Sequence, residues 1–147
     1  MGKYGLWVPE AIEKNGVSLK EHKNIEIREY ISDMDRCMAA ADVIVCRAGA
    51  STLSEIEALK KASVLIPSPN VAENHQYHNA MALVNNGAAL IIEEKELTAE
   101  KLESAIKKLI VNDEERKKIG ENAGKMAVTD SKERIADIVV SLAKSKS

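Results

Sequence analysis

The chain has 147 residues, 45% of them hydrophobic, which suits one domain built around a single modest core. Its 21 basic and 23 acidic residues leave a net charge of -2, so no global field recruits nucleic acid or an anionic membrane, and any anion site must be local. Aromatics make up 3% with no phenylalanine, which removes the stacking platforms of single-stranded nucleic-acid binders, so no nucleic-acid partner is expected. No apolar run approaches the roughly 20 residues of a membrane span, and the N-terminus lacks a signal-peptide core; a soluble, cytoplasmic protein is expected. Cys37 and Cys46 lie among apolar residues without CxxC spacing or a neighbouring histidine pair, so both read as buried packing residues, with no disulfide, metal or cofactor implied.

In chain order, Pro9 to Asn15 reads as a short helix stopped by Asn15-Gly16. Ile25 to Ile31 alternates apolar and charged side chains, the period of a strand. Ser32 or Asp33 can cap a helix over Met34 to Ala41. Val43 to Cys46 is a continuous apolar run, expected of a strand covered on both faces. Ser51 to Glu55 offers hydroxyl caps and an early carboxylate for the next helix, whose inward face is Ile56, Leu59 and Ala58. Ser63 to Pro67 is another buried-type strand, closed by Pro67-Ser68-Pro69-Asn70. His75 to Asn85 is helical, ended by Asn86-Gly87, and Ala88 to Ile92 is a further strand. Thr98 and Asp113 each start a helix, and Lys132 to Ala143 is a terminal amphipathic one.

Strands alternating with helices predict an α/β fold: an open parallel sheet of about four strands with helices on both faces, incomplete beside the usual five or six. One domain is expected over 1–147, with a poorly defined start at 1–23, a core at 24–143 and a frayed tail at 144–147.

Ligands of such sheets sit beyond the carboxyl ends of the strands, so the stretches after Cys46 and Ile66 carry the chemistry. In Arg47-Ala48-Gly49-Ala50-Ser51-Thr52 the glycine permits tight turning and close approach, and free N–H groups at a helix start favour an anion. A phosphate there would take the amides of Ala50, Ser51 and Thr52; an ordinary capped helix would look the same. Glu55 can reach a ribose diol just beyond such a phosphate, or serve as a capping-box carboxylate. Glu73-Asn74-His75-Gln76-Tyr77-His78-Asn79 is dense in neutral hydrogen-bonding groups suited to sugar hydroxyls, while His75 and His78 lack a third metal ligand. No GxSxG, Walker A, GxGxxG or HExxH pattern occurs.

Three ordered segments now carry a resemblance: Tyr30-Ile31-Ser32-Asp33-Met34, the run from Ala41 to Glu55, and Asn74-His75-Gln76-Tyr77-His78-Asn79-Ala80. Together they resemble the MurG family, over roughly Asn24 to Ala143. The resemblance implies the C-terminal, Rossmann-like donor domain of a GT-B glycosyltransferase. Such enzymes transfer N-acetylglucosamine from UDP-GlcNAc to a lipid-linked muramoyl-pentapeptide, giving lipid II, and full-length members lie peripherally at the cytoplasmic face of the plasma membrane. Position by position, it puts the ribose on Glu55 and the diphosphate on the amides of Ala50, Ser51 and Thr52 beside Gly49. It puts the uracil edge on the backbone of Ile31 and the sugar hydroxyls on His75-Gln76, and matches Arg47 to the arginine before the small-residue turn. It assigns no catalytic residue to this chain. The family's N-terminal acceptor domain and Gly-rich loop have no counterpart here, and Gly2-Lys3 resembles the stretch after the domain's second strand. The chain is therefore expected to begin two strands late and to expose an apolar sheet edge, inviting a homodimer or a partner that brings the lipid-linked acceptor.

Overall fold

A computed structural model describes residues 7–69 and 74–145. Gly2-Lys3, Asn70, Glu73 and the last residues of the tail lie outside the described residues. The chain divides into two units, Met1–Met34 and Asp35–Ser147.

In the first unit, α1 (Trp7–Lys14) ends where foreseen: the Asn15 and Val17 amides bond back to Ala11 and Ile12, and Gly16 takes φ 85°, a value that favours glycine. Ile25 to Ile31 is not a strand, which reduces the expected four strands to three. An alternating pattern makes a strand only where a neighbour completes its ladder, and no described strand does so here. The segment is held locally instead: Arg28 bonds Glu26 at 2.6 Å and Asp33 at 3.3 Å, and Ile25 and Ile27 stay 40% and 36% exposed.

In the second unit, β1 (Val43–Cys46), β2 (Ala62–Leu65) and β3 (Leu90–Ile91) form a parallel sheet in the order β1-β2-β3, with Val43 opposite Ala62 and Val64 opposite Leu90. The buried character of β2 is explained by its place: it is the central strand, and every residue of it, Ser63 included, is buried. β3 is shorter than the foreseen Ala88 to Ile92, although the Ile92 amide still reaches the Leu65 carbonyl at 3.0 Å.

Alternate strand residues feed two core layers. Ile44, Cys46, Leu65 and Ile91 pack with Met38 of α2 (Met34–Ala40), Leu53 and Ile56 of α3 (Ala50–Leu59), and Ala80 and Leu83 of α4 (His75–Asn85). Val43, Ala62, Val64 and Leu90 pack on the other face with Leu102, Ala105 and Leu109 of α5 (Ala99–Val111). Helices thus cover both faces, as foreseen.

α6 (Asp113–Met126) joins the layers, giving Ile119 to one and Ala123 to the other. It crosses at the amino end of β2, where α3 is closed by Lys60 at φ 54°. Its cap is Asn112, which accepts from the Glu115 amide at 3.0 Å, one residue before the expected Asp113; Asp113 instead pairs with Arg116 at 2.8 Å in the first turn. Thr98 caps α5 as expected, accepting from Lys101 at 3.2 Å.

α7 (Ser131–Ser145) shows Ile135, Ile138 and Val139 at 58 to 62% exposure. Val45 on the edge strand β1 is 40% exposed beside a groove of 530 Å³ lined by Val43, Val45, Ile106 and Ile110. The cysteines are half-buried rather than buried, because Cys46 lies on that edge strand. No described helix is long and apolar enough to cross a membrane.

Candidate functional site

The carboxyl ends of all three strands point to one set of loops: Arg47 to Gly49 after β1, Ile66 to Pro69 after β2, and Ile92 to Glu96 after β3. After β1 the backbone stays extended through Gly49, at φ -71° and ψ 140°, and then turns into α3. Gly49 is therefore not needed for an unusual backbone angle. Its missing side chain matters instead for the space above it, since a Cβ there would meet nothing within 4 Å.

Gly49 is the residue before the first helical turn, and no side chain caps it. The expectation that the hydroxyls of Ser51 and Thr52 act as caps is corrected: with the helix starting at Ala50, both lie inside the first turn. The first intrahelical amide bond is Leu53 to Gly49, 3.0 Å, so the amides of Ala50, Ser51 and Thr52 come before the ladder begins. With the dipole of α3 behind them, these groups form an anion-favouring terminus. The same count decides about Glu55: a capping-box carboxylate sits three residues after the cap, which is Thr52's place, so Glu55 lies too far along. It is exposed, on the flank that helical spacing shares with Ser51 and Thr52, while Leu53 and Ile56 face the core.

Arg47 reaches across the strand ends. Its guanidinium donates to the Ile66 carbonyl at 3.3 Å and pairs with the Glu94 carboxylate, tying the loops after β1, β2 and β3 together. Cys46, one residue earlier, has its thiol pushed above the ordinary range by burial and so stays neutral.

The start of α4 forms the opposite wall. Asn74 enters it at φ 54°, a left-handed value asparagine tolerates, and its own side chain makes no capping hydrogen bond. His75 is exposed on the first residue. The side-chain oxygen of Gln76 accepts from the Ser68 amide at 2.9 Å, so it holds the preceding loop. Tyr77 stands edge-on to His78, 6.0 Å between ring centres. With Pro67, Pro69, Asn74, Glu93, Glu94 and Lys95 it lines a cavity of 400 Å³. Among the described residues no group of three or more His, Cys, Asp or Glu could hold a metal ion.

The fold thus gathers Arg47, Gly49, Ala50, Ser51, Thr52, Glu55, His75 and Gln76 around the carboxyl ends of one sheet, while Ile31, half-buried, belongs to the first unit. Two residues went unassigned in the sequence reading. Asn79 donates to the Ala48 carbonyl at 3.4 Å, fixing α4 against the Gly49 turn. Its place in the polar run after the second strand was the available signal. Glu94 is 47 residues from Arg47, and no local pattern pairs them.

An open parallel α/β sheet with helix starts gathered at its strand ends defines the class of domain that takes ligands in the crevice beyond those ends. Residues 5–135 match the glycosyltransferase family 28 C-terminal domain, and the chain belongs to that family. It is 42% identical over 130 residues to the UDP-N-acetylglucosamine--N-acetylmuramyl-(pentapeptide) pyrophosphoryl-undecaprenol N-acetylglucosamine transferase of Desulforamulus reducens, covering 88% of this chain and 34% of that protein. The protein of the same name from a Thermoanaerobacter species is 44% identical over 135 residues, 92% of this chain and 36% of its own. The crystal structure of Acinetobacter baumannii MurG superposes with a TM-score of 0.78 at 27% identity, covering 93% of this chain and 39% of that one. The resemblance to MurG and the GT-B C-terminal fold are borne out; the chain spans about a third of the length of these relatives.

Proposed function

We propose that this chain is the donor-binding portion of an inverting N-acetylglucosaminyltransferase that uses UDP-GlcNAc and a lipid-linked acceptor to make lipid II. The observation that carries the reading is the start of α3: amides of Ala50, Ser51 and Thr52 without a side-chain cap, below open space at Gly49, at the strand ends. Two helices that start away from the strand ends, α5 and α6, are by contrast capped by side chains.

In this reading the diphosphate takes those amides, Glu55 accepts from the ribose diol, and His75 and Gln76 meet the sugar. As the acceptor hydroxyl attacks the anomeric carbon and UDP departs, charge grows on the diphosphate, where helix dipole and amides stabilise it. No side chain here is assigned as general base, so the acceptor and its activation come from a partner, either another part of a longer chain or a second subunit. The work takes place at the cytoplasmic face of the plasma membrane, where a lipid-linked acceptor is reached.

Calorimetric titration with UDP and UDP-GlcNAc tests the donor role: binding of both is expected, and no heat with either overturns it. A transfer assay with a lipid-linked acceptor should read zero for the chain alone and recover with an acceptor-binding partner. A second reading, a noncatalytic self-associating fragment, draws on the exposed edge of β1. Light scattering showing strong assembly together with absent nucleotide binding would favour it.

A further inference from the structure

Four consecutive acidic or basic residues, Glu93-Glu94-Lys95-Glu96, follow β3, and three of them are accounted for among themselves and their neighbours. Lys95 holds Glu93 at 3.0 Å, and Lys101 holds Glu96 at 3.3 Å. Glu94 alone of the run pairs across the strand ends, with Arg47 in the loop after β1. Its position is set by backbone: the short 3-10 turn Glu94–Glu96 is closed by the Glu96 amide on Glu93 at 2.8 Å and the Leu97 amide on Glu94 at 3.2 Å.

The pair is half exposed, with side chains at 51% for Arg47 and 38% for Glu94, so it adds little to the stability of the fold. Its effect is on place. Arg47 is separated from Gly49 by one residue, Ala48, which is fully buried and whose carbonyl is held by Asn79. The turn that leads into α3 is therefore braced from α4 through Asn79 and from the β3 loop through Glu94 and Arg47. Without this acceptor the Arg47 guanidinium keeps only its bond to the Ile66 carbonyl, 3.3 Å, and the turn loses its brace from the β3 loop.

We infer that Glu94 is a positioning residue of the anion site at the start of α3, acting through Arg47 on the Ala48-Gly49 turn; this rests on the donor reading above. The inference makes an unusual demand, because a carboxylate near an anion site lowers anion affinity by its charge while raising it by its geometry. Glutamine keeps an acceptor oxygen for Arg47 and removes the charge. Alanine removes both.

UDP affinity measured by calorimetry should therefore split the variants. Glu94→Gln should bind UDP as well as the parent chain or severalfold better, and Glu94→Ala severalfold worse. If both variants bind more tightly, Glu94 is only a nearby charge or a competitor for Arg47, and the inference falls. A second measurement needs no ligand: the backbone amide resonances of Gly49 and Ala50 should shift in Glu94→Ala and not in Glu94→Gln. Arg47→Ala should produce the same shift, with no further shift in the double variant. Unmoved amides in Glu94→Ala overturn the inference. Should the parent chain bind neither UDP nor UDP-GlcNAc, the donor reading fails, while the amide shifts still decide whether Glu94 positions the turn.

Discussion

Gly120 and Gly49 lie at opposite ends of one sheet. A Cβ on Gly120 would fall 2.3 Å from the Lys60 carbonyl oxygen, whereas one on Gly49 would meet nothing within 4 Å. At the amino end the glycine lets α6 press against the chain as it leaves α3 and enters β2, closing both core layers at once. At the carboxyl end the glycine leaves a surface open above unpaired helix amides. The same residue type thus allows close packing at one end and borders open space at the other, and only the neighbouring backbone distinguishes them. If the donor reading holds, substitutions at the closed end should fail in unfolding assays and those at the open end in binding assays.

The largest effect is expected at the closed end. Gly120→Ala sets a methyl group against backbone that cannot move without displacing β2, and should destabilise the fold by about 3 kcal/mol in urea unfolding. A loss under about 1 kcal/mol would mean that α6 slides away easily, and the contrast between the two ends would weaken. Gly124 is the internal control, because its neighbour is the Lys60 side chain, 2.7 Å away at Cγ, which can swing aside.

Next in size is Glu55→Ala at the open end. It removes no buried contact, so unfolding should not change, while UDP binding should weaken by roughly 1 to 3 kcal/mol if the carboxylate holds the ribose. Unchanged affinity would leave Glu55 without a role, since its distance from Gly49 already excludes the capping box. Gly49→Ala should follow, with unfolding altered by no more than about 1 kcal/mol and UDP binding weakened by a similar amount, because the methyl group enters only empty space. A stability loss as large as that of Gly120→Ala would erase the distinction between the ends.

The parts of the fold legible in the sequence were those fixed by local pattern. β1 is a continuous apolar run and β2 is apolar but for Ser63, as suits parallel strands, although Val45 of the edge strand stays exposed, and His75 to Asn85 runs between a left-handed Asn74 and Gly87 at φ 62°. Ile25 to Ile31 misled because alternation records a preference for a pleated surface and cannot supply the neighbouring strand. At the site, Arg47 through Glu55 could be read as a loop and helix start, but the cap position could not. Moving it to Gly49 is what turns Ser51 and Thr52 from caps into first-turn residues and removes one role from Glu55. Asn79 and Glu94 act over long separations in the chain, on Ala48 and Arg47, and such pairs follow from tertiary geometry alone.

Ser63 lies between the two ends, midway along the central strand, and gives the smallest effect. Its side chain is fully buried and its Oγ has no hydrogen-bond partner among the described residues, in the layer that otherwise holds Ile44, Ile56 and Leu65. A buried hydroxyl with no partner costs more than it returns, whereas alanine keeps the size of the site nearly the same. Ser63→Ala should raise stability by up to about 1 kcal/mol and leave UDP binding unchanged, since neither the Gly49 turn nor α4 contacts it through a polar group. A stability loss instead would show that the hydroxyl is satisfied in solution, by water entering the sheet near the Gly120 contact, and the amino end would be less closed than its packing implies.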